Sequence, residues 1–222
     1  MSKGLDLSVY AVLDPARCRG RDPVALAAAA ARGGATLVQL RDKTSSTRAL
    51  VTLARAVKEA LDPHGVPLLI NDRIDVALAA GAAGAHVGQS DMDPRDARRL
   101  LGPDAILGVT LHHAREAEGL EPGLADYAGM GPVFVTQSKD PGDPPLGPSG
   151  LARLIGGVRE QLPGLPCCGI AGVDHTNAAS VIEAGADGVA VISDIFMEED
   201  VEAATARLRD AVRPALAGRS TP

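Results

Sequence analysis

Gly185-Ala186-Asp187-Gly188-Val189-Ala190-Val191-Ile192 is the stretch from which the fold can be read. A glycine able to turn left-handed ends a helix, and a short apolar run follows at once. An unbroken apolar run marks a strand covered on both faces, as in a parallel sheet. The same joint stands at Gly33-Gly34-Ala35-Thr36-Leu37-Val38 and at Gly84-Ala85-His86-Val87. Its repetition predicts strands alternating with helices.

Working outward, residues 9–13 read as the first strand. Asp22 and Pro23 supply the N-cap and first residue of a helix to about 32. Residues 37–40 form the next strand, and 47–61 a helix with Leu50, Leu53, Ala54 and Val57 on one face. Further strands are expected at 67–70, 85–87, 105–109, 126–130, 167–170 and 188–192. Further helices are expected at 74–80, 94–101, 114–119, 149–162, 176–184 and 198–216. Eight strand–helix units in 222 residues predict an α/β protein, a single (β/α)8 TIM barrel. Residues 1–216 are read as its one domain and 217–222 as a disordered tail. An open doubly wound sheet is the rival architecture.

Composition agrees. Hydrophobic residues are 45% of the chain, enough for a core, and charged residues are 23%. The net charge is −6, with no block of Lys and Arg, so a nucleic-acid groove is not expected. Any anion site must be local. Cys18, Cys167 and Cys168 are odd in number and two are adjacent, which speaks against a disulfide framework and for a reducing cytoplasm. Every apolar run is interrupted too soon to span a membrane. A homo-oligomer stays open, but at 2% aromatic content an aromatic-rich interface is not available.

The polar residues fall where a barrel keeps its chemistry, at the strand ends. They are Gln39-Leu40-Arg41-Asp42-Lys43, Asn71-Asp72-Arg73, Gly88-Gln89-Ser90-Asp91, Thr110-Leu111-His112 and Thr136-Gln137-Ser138-Lys139, with Gly169, Gly172 and Ser193 after the last two strands. Arg41, Lys43 and Lys139 are cations on one rim, and Asp72 and Asp91 are carboxylates on neighbouring strands. Together they suggest Mg²⁺ beside phosphate, because Mg²⁺ takes one or two carboxylates and completes its shell with phosphate oxygens. Gln39 and Asn71 are amides suited to orienting a heterocycle. Gly169, Gly172 and Ser193 fit a second phosphate site in the loops after strands seven and eight. Taken singly, an Asn-Asp pair is turn chemistry, Arg41-Asp42 a surface pair and Gly172 a turn glycine. Glu198-Glu199-Asp200 reads as a solvated helix start. His112 and His113 lack a metal-ligand pattern, and His64 and His175 read as loop or cap residues.

These motifs, with His86-Val87-Gly88-Gln89-Ser90-Asp91, Gly131-Pro132-Val133-Phe134-Val135-Thr136 and Gly185 to Ser193, resemble the thiamine-phosphate synthases over nearly the whole chain, from about Val9 to Phe196. The resemblance implies joining a hydroxymethylpyrimidine pyrophosphate to a hydroxyethylthiazole phosphate, with Mg²⁺ at Asp72 and Asp91. By the match, Arg41, Lys43, Asn71 and Lys139 would hold pyrophosphate and Gln39 would orient the pyrimidine. Thr136 and Ser138, with backbone at Gly172, Ile192 and Ser193, would hold the thiazole phosphate. Residues 137–147 would close as a lid.

The chain departs from the family in places. Thr110 stands where the family usually has Ser and keeps the hydroxyl, so it counts among the catalytic and substrate-binding residues. Ala171 stands where Gly-Gly is usual and would be strained at positive φ. Ser138 replaces a common Thr. Three other readings remain: a thiazole tautomerase, a non-catalytic thiamine-phosphate sensor, and a sugar-phosphate isomerase barrel. None of the three needs the cation–carboxylate set.

Overall fold

The computed structural model describes residues 4–136 and 144–219. Eight strands run in chain order around a closed parallel barrel: β1 (Val9–Leu13), β2 (Leu37–Leu40), β3 (Leu68–Asn71), β4 (Gly84–Val87), β5 (Ile106–Leu111), β6 (Tyr127–Met130), β7 (Cys167–Ile170) and β8 (Gly188–Val191). Val9 pairs with Val189, so β8 returns to β1 and the open-sheet alternative is excluded. Around the strands lie α1 (Pro23–Gly33), α2 (Thr47–Leu61), α3 (Ile74–Ala80), α4 (Pro94–Leu101), α5 (Gly147–Gln161), α6 (Ala178–Glu183), α7 (Ser193–Phe196) and α8 (Val201–Arg219).

Local chemistry sets these boundaries. The Asp22 carboxylate accepts from the Val24 and Ala25 N–H groups, and Gly34 ends α1 at φ 106°. Ser46 caps α2 and Asp93 caps α4 ahead of Pro94. Four readings shift. A 3₁₀ turn, Ala114–Ala117, replaces the helix expected at 114–119. The short α7 was not expected. β5 runs on to Leu111, so Thr110 lies within the strand and not after it. The last helix begins at Val201 and continues past the expected end at 216 to Arg219. Ala215 and Leu216 still pack on the core, which keeps that turn helical.

Period-two alternation sorts the strand residues into two shells. One face packs under the helices in the larger cluster, with Val9, Val38, Ile70 and Val189 among its members. The other face fills the barrel with Tyr10, Val12, Leu37, Leu69, Tyr127, Cys168 and Ala190. Glycines make room for the rings: a Cβ at Gly108 would lie 2.2 Å from Tyr127 Cζ, and one at Gly129 would lie 3.3 Å from His86 Cε1. The three cysteines are buried and free. Among the described residues, no helix is long and apolar enough to cross a membrane.

Candidate active site

The parallel strands bring the β2, β3 and β4 ends side by side, and the predicted charges meet there. Arg41 follows β2 directly, and its Nη1 lies 2.6 Å from Asp14 Oδ2 at the end of β1. Asp14 is buried, and its other carboxylate oxygen accepts from the Ala16 N–H. It therefore holds Arg41 from the next strand along. Lys43 pairs with the Asp72 carboxylate.

Asp72 takes φ 62°, a left-handed conformation that Asp tolerates better than most residues. Its N–H donates to the His86 carbonyl at 2.8 Å, which fixes the bend beside β4. Burial pushes the Asp72 carboxyl up, Lys43 draws it down, and the adjacent Asp91 carboxylate pushes it up further; the net direction is upward. Asp91 accepts from the Gly88 N–H at 2.8 Å. Asn71 ends β3, opposite His86. Two carboxylates on adjacent strand ends, one raised by the other, make a place that a cation relieves. Among the described residues no three or more His, Cys, Asp or Glu gather into a metal cage. A carboxylate pair fits a cation that takes the rest of its shell from substrate oxygens and water, as Mg²⁺ does.

Below this rim a polar chain runs through the otherwise apolar barrel interior. Gln39, His86 and Thr110 are buried on β2, β4 and β5. The Gln39 amide donates to the Tyr10 hydroxyl. Tyr10 and Tyr127 share a hydroxyl–hydroxyl bond of 2.7 Å, with their rings edge to face. Tyr127 meets His86 Nδ1 at 2.8 Å, and His86 Nε2 meets Thr110 Oγ1 at 2.8 Å. Gln89 donates from Nε2 to the Thr110 carbonyl at 2.6 Å. Burial pushes the hydroxyls of Tyr10 and Tyr127 up, which keeps both protonated. Two of the predicted residues, Gln39 and Thr110, are thus the ends of one hydrogen-bonded chain.

Across the barrel, the loops after β7 and β8 use backbone. Gly172 has φ 70°, and a Cβ there would lie 2.6 Å from the Val135 carbonyl oxygen. Ala171 has φ 69°, the conformation that the sequence marked as costly for this residue. Ile192 precedes α7 and Ser193 is its first residue. His175 ties the two loops together: its N–H donates to Asp194 Oδ2 at 2.9 Å, and its Nδ1 lies 2.8 Å from Asp194 Oδ1. Thr136 is described, whereas Ser138, Lys139 and most of the expected lid lie outside the described residues.

Sequence reasoning missed Asp14, Tyr10, His86, Tyr127 and the His175–Asp194 pair. Asp14 follows the first strand directly, so the strand-end rule would have found it. The His112 ring, which sequence reasoning gave no metal role, lies 3.5 Å from Glu116 of the 3₁₀ turn.

Comparison with known proteins accords with this geometry. The family described as "Thiamine monophosphate synthase" matches residues 9–195. A thiamine-phosphate synthase of Agrobacterium fabrum is 49% identical over 87% of this chain and 88% of its own. One of Xanthobacter autotrophicus is 46% identical over 96% and 98%. The structure of a thiamine phosphate pyrophosphorylase from Pyrococcus furiosus superposes with a TM-score of 0.83 at 32% identity, covering 97% of this chain and 98% of that one. An orotidine 5'-phosphate decarboxylase from Pyrococcus horikoshii, at TM-score 0.63 and 12% identity, shares the fold alone. With its barrel, its rim charges and these relatives in agreement, the chain belongs to the thiamine monophosphate synthase family.

Proposed function

We propose that this chain, as one barrel domain, joins a hydroxymethylpyrimidine pyrophosphate to a hydroxyethylthiazole phosphate, giving thiamine phosphate and pyrophosphate. The observation that carries the reading is the meeting of Arg41, Lys43, Asp72 and Asp91 at adjacent strand ends. In the proposed reaction the methylene–oxygen bond breaks and both its electrons leave with pyrophosphate. The ring nitrogen of the thiazole then gives its lone pair to the methylene carbon. That nitrogen carries no proton to remove, so no general base is required.

What the site must supply is stabilisation of charge on the departing group, and fixed cations do this without reorganising. Arg41 and Lys43, with Asn71 and Lys139, are assigned to pyrophosphate, and Asp14 keeps Arg41 aimed at it. Thr110 donates its hydroxyl to the same end. Gln39 orients the pyrimidine above the buried chain. Thr136 and Ser138, with backbone at Gly172, Ile192 and Ser193, take the thiazole phosphate. Mg²⁺, held by Asp72 and Asp91, would supply Lewis-acid neutralisation of the pyrophosphate oxygens. Small molecules are the partners of this site.

Pyrophosphate release from purified protein tests the reading. Release is expected to need both substrates and Mg²⁺, and Asp91→Ala is expected to lower kcat on the order of 10²–10³-fold. Binding of thiazole phosphate with no release would overturn it in favour of a tautomerase or a sensor.

A further inference from the structure

The polar chain inside the barrel has a direction, and the direction has a chemical consequence. Each link holds one proton. The Gln39 amide nitrogen donates to Tyr10, which commits the Tyr10 oxygen as acceptor there and turns its own proton toward Tyr127. Run in that direction, Tyr127 accepts from Tyr10 and gives its proton to His86 Nδ1, through contacts whose geometry suits either donor. A neutral imidazole has one N–H, so that proton must sit on Nε2, which points at Thr110 Oγ1. Thr110 accepts from His86, and its own hydroxyl proton is left to donate elsewhere. Among the described residues no buried side-chain nitrogen or oxygen lacks a partner, so the chain is satisfied along its length. Satisfied chains of this kind polarise their members cooperatively.

We infer that Tyr10, Tyr127 and His86 are positioning residues: they hold His86 as the Nε2–H tautomer and thereby set the Thr110 hydroxyl as a donor to the pyrophosphate end of the substrate. The reverse direction would make Thr110 donate to His86 and present only lone pairs to an anion, which opposes binding. The donor role of Thr110 rests on the proposed function; the His86 tautomer does not.

The first test therefore needs no substrate. In protein labelled with ¹⁵N-histidine, the His86 signal, identified by its loss in His86→Asn, is expected to show a protonated Nε2 and a bare Nδ1. A protonated Nδ1, or protons on both nitrogens, overturns the inference. The second test reads coupling. Tyr127→Phe is expected to lower kcat roughly tenfold, with KM for thiazole phosphate unchanged. In a Thr110→Val background the same change is expected to cost under about twofold. Equal costs in the two backgrounds would mean that Tyr127 serves the fold alone and would overturn the role. Tyr10→Phe replaces Tyr127→Phe if that variant does not fold. Should the tautomer be as stated while no variant alters pyrophosphate release, the proposed roles at the rim fail and the chain's direction stands.

Discussion

In the proposed function the rim would meet phosphate in two ways, and they differ in what they ask of the sequence. From β2 to β4 the rim offers side-chain charge: Arg41 braced by Asp14, and Lys43 set against Asp72 beside Asp91. Across β7 and β8 there is no Lys or Arg at all between residues 169 and 177 or between 190 and 197. There the shape of the backbone matters, through Gly172 at φ 70°, Ala171 at φ 69° and the His175–Asp194 tie between loops. A site that stabilises developing charge needs cations held in place. A site that only grips a spectator phosphate needs N–H groups and room.

If that division is right, each region should fail in its own way. Lys43→Met is expected to lower kcat by about 10²-fold, because the departing group loses a cation. Stability should change by under about 1 kcal/mol, since the pair is half-exposed on its Lys side. Steady-state kinetics alongside thermal melting separate the two effects, and a large loss of stability with intact kcat would break the comparison. Gly172→Ala should do the opposite. The new Cβ would sit 2.6 Å from the Val135 carbonyl oxygen in a left-handed conformation. Destabilisation of about 2–3 kcal/mol is expected. KM for thiazole phosphate should rise with kcat nearly unchanged, the mark of lost uniform binding.

The legible parts of the molecule are those decided within a few residues. The spans of β1, β2, β7, α2, α3 and α4 follow from caps, Pro positions and periodicity, and the structure reproduces them. Strand-end placement likewise brought Arg41, Lys43, Asp72 and Asp91 together, because in a parallel barrel one rule places every strand end on one face. The interior chain was not legible. Tyr10 and Tyr127 stand 117 residues apart, and their contact depends on strand register and on the space left by Gly108. In an apolar run a tyrosine reads as core. Thr110 was singled out as a candidate but placed after its strand, because the apolar run thins before the ladder ends. His175 was read as a loop residue, since nothing local reveals that Asp194 of the next unit faces it.

The smallest expected effect sharpens the comparison most, since it concerns a residue that shape alone disfavours. Ala171 sits at φ 69°, where a Cβ costs about 1–2 kcal/mol. Its carbonyl accepts from the Phe134 N–H at 3.1 Å, so the bend is tied to the segment leading to Thr136. Ala171→Gly removes the strain but makes the unfolded chain freer by roughly 0.5–1 kcal/mol. The balance is a gain of about 0.5–1 kcal/mol, or roughly 1–4 °C in Tm for a chain of this size. Because Gly can also leave this conformation, the gain in stability should come without any fall in KM for thiazole phosphate. If Ala171→Gly instead lowers KM, the strained alanine is holding the loop away from its binding shape. The β7–β8 side would then be limited by the same residue that departs from the family's usual pair of glycines.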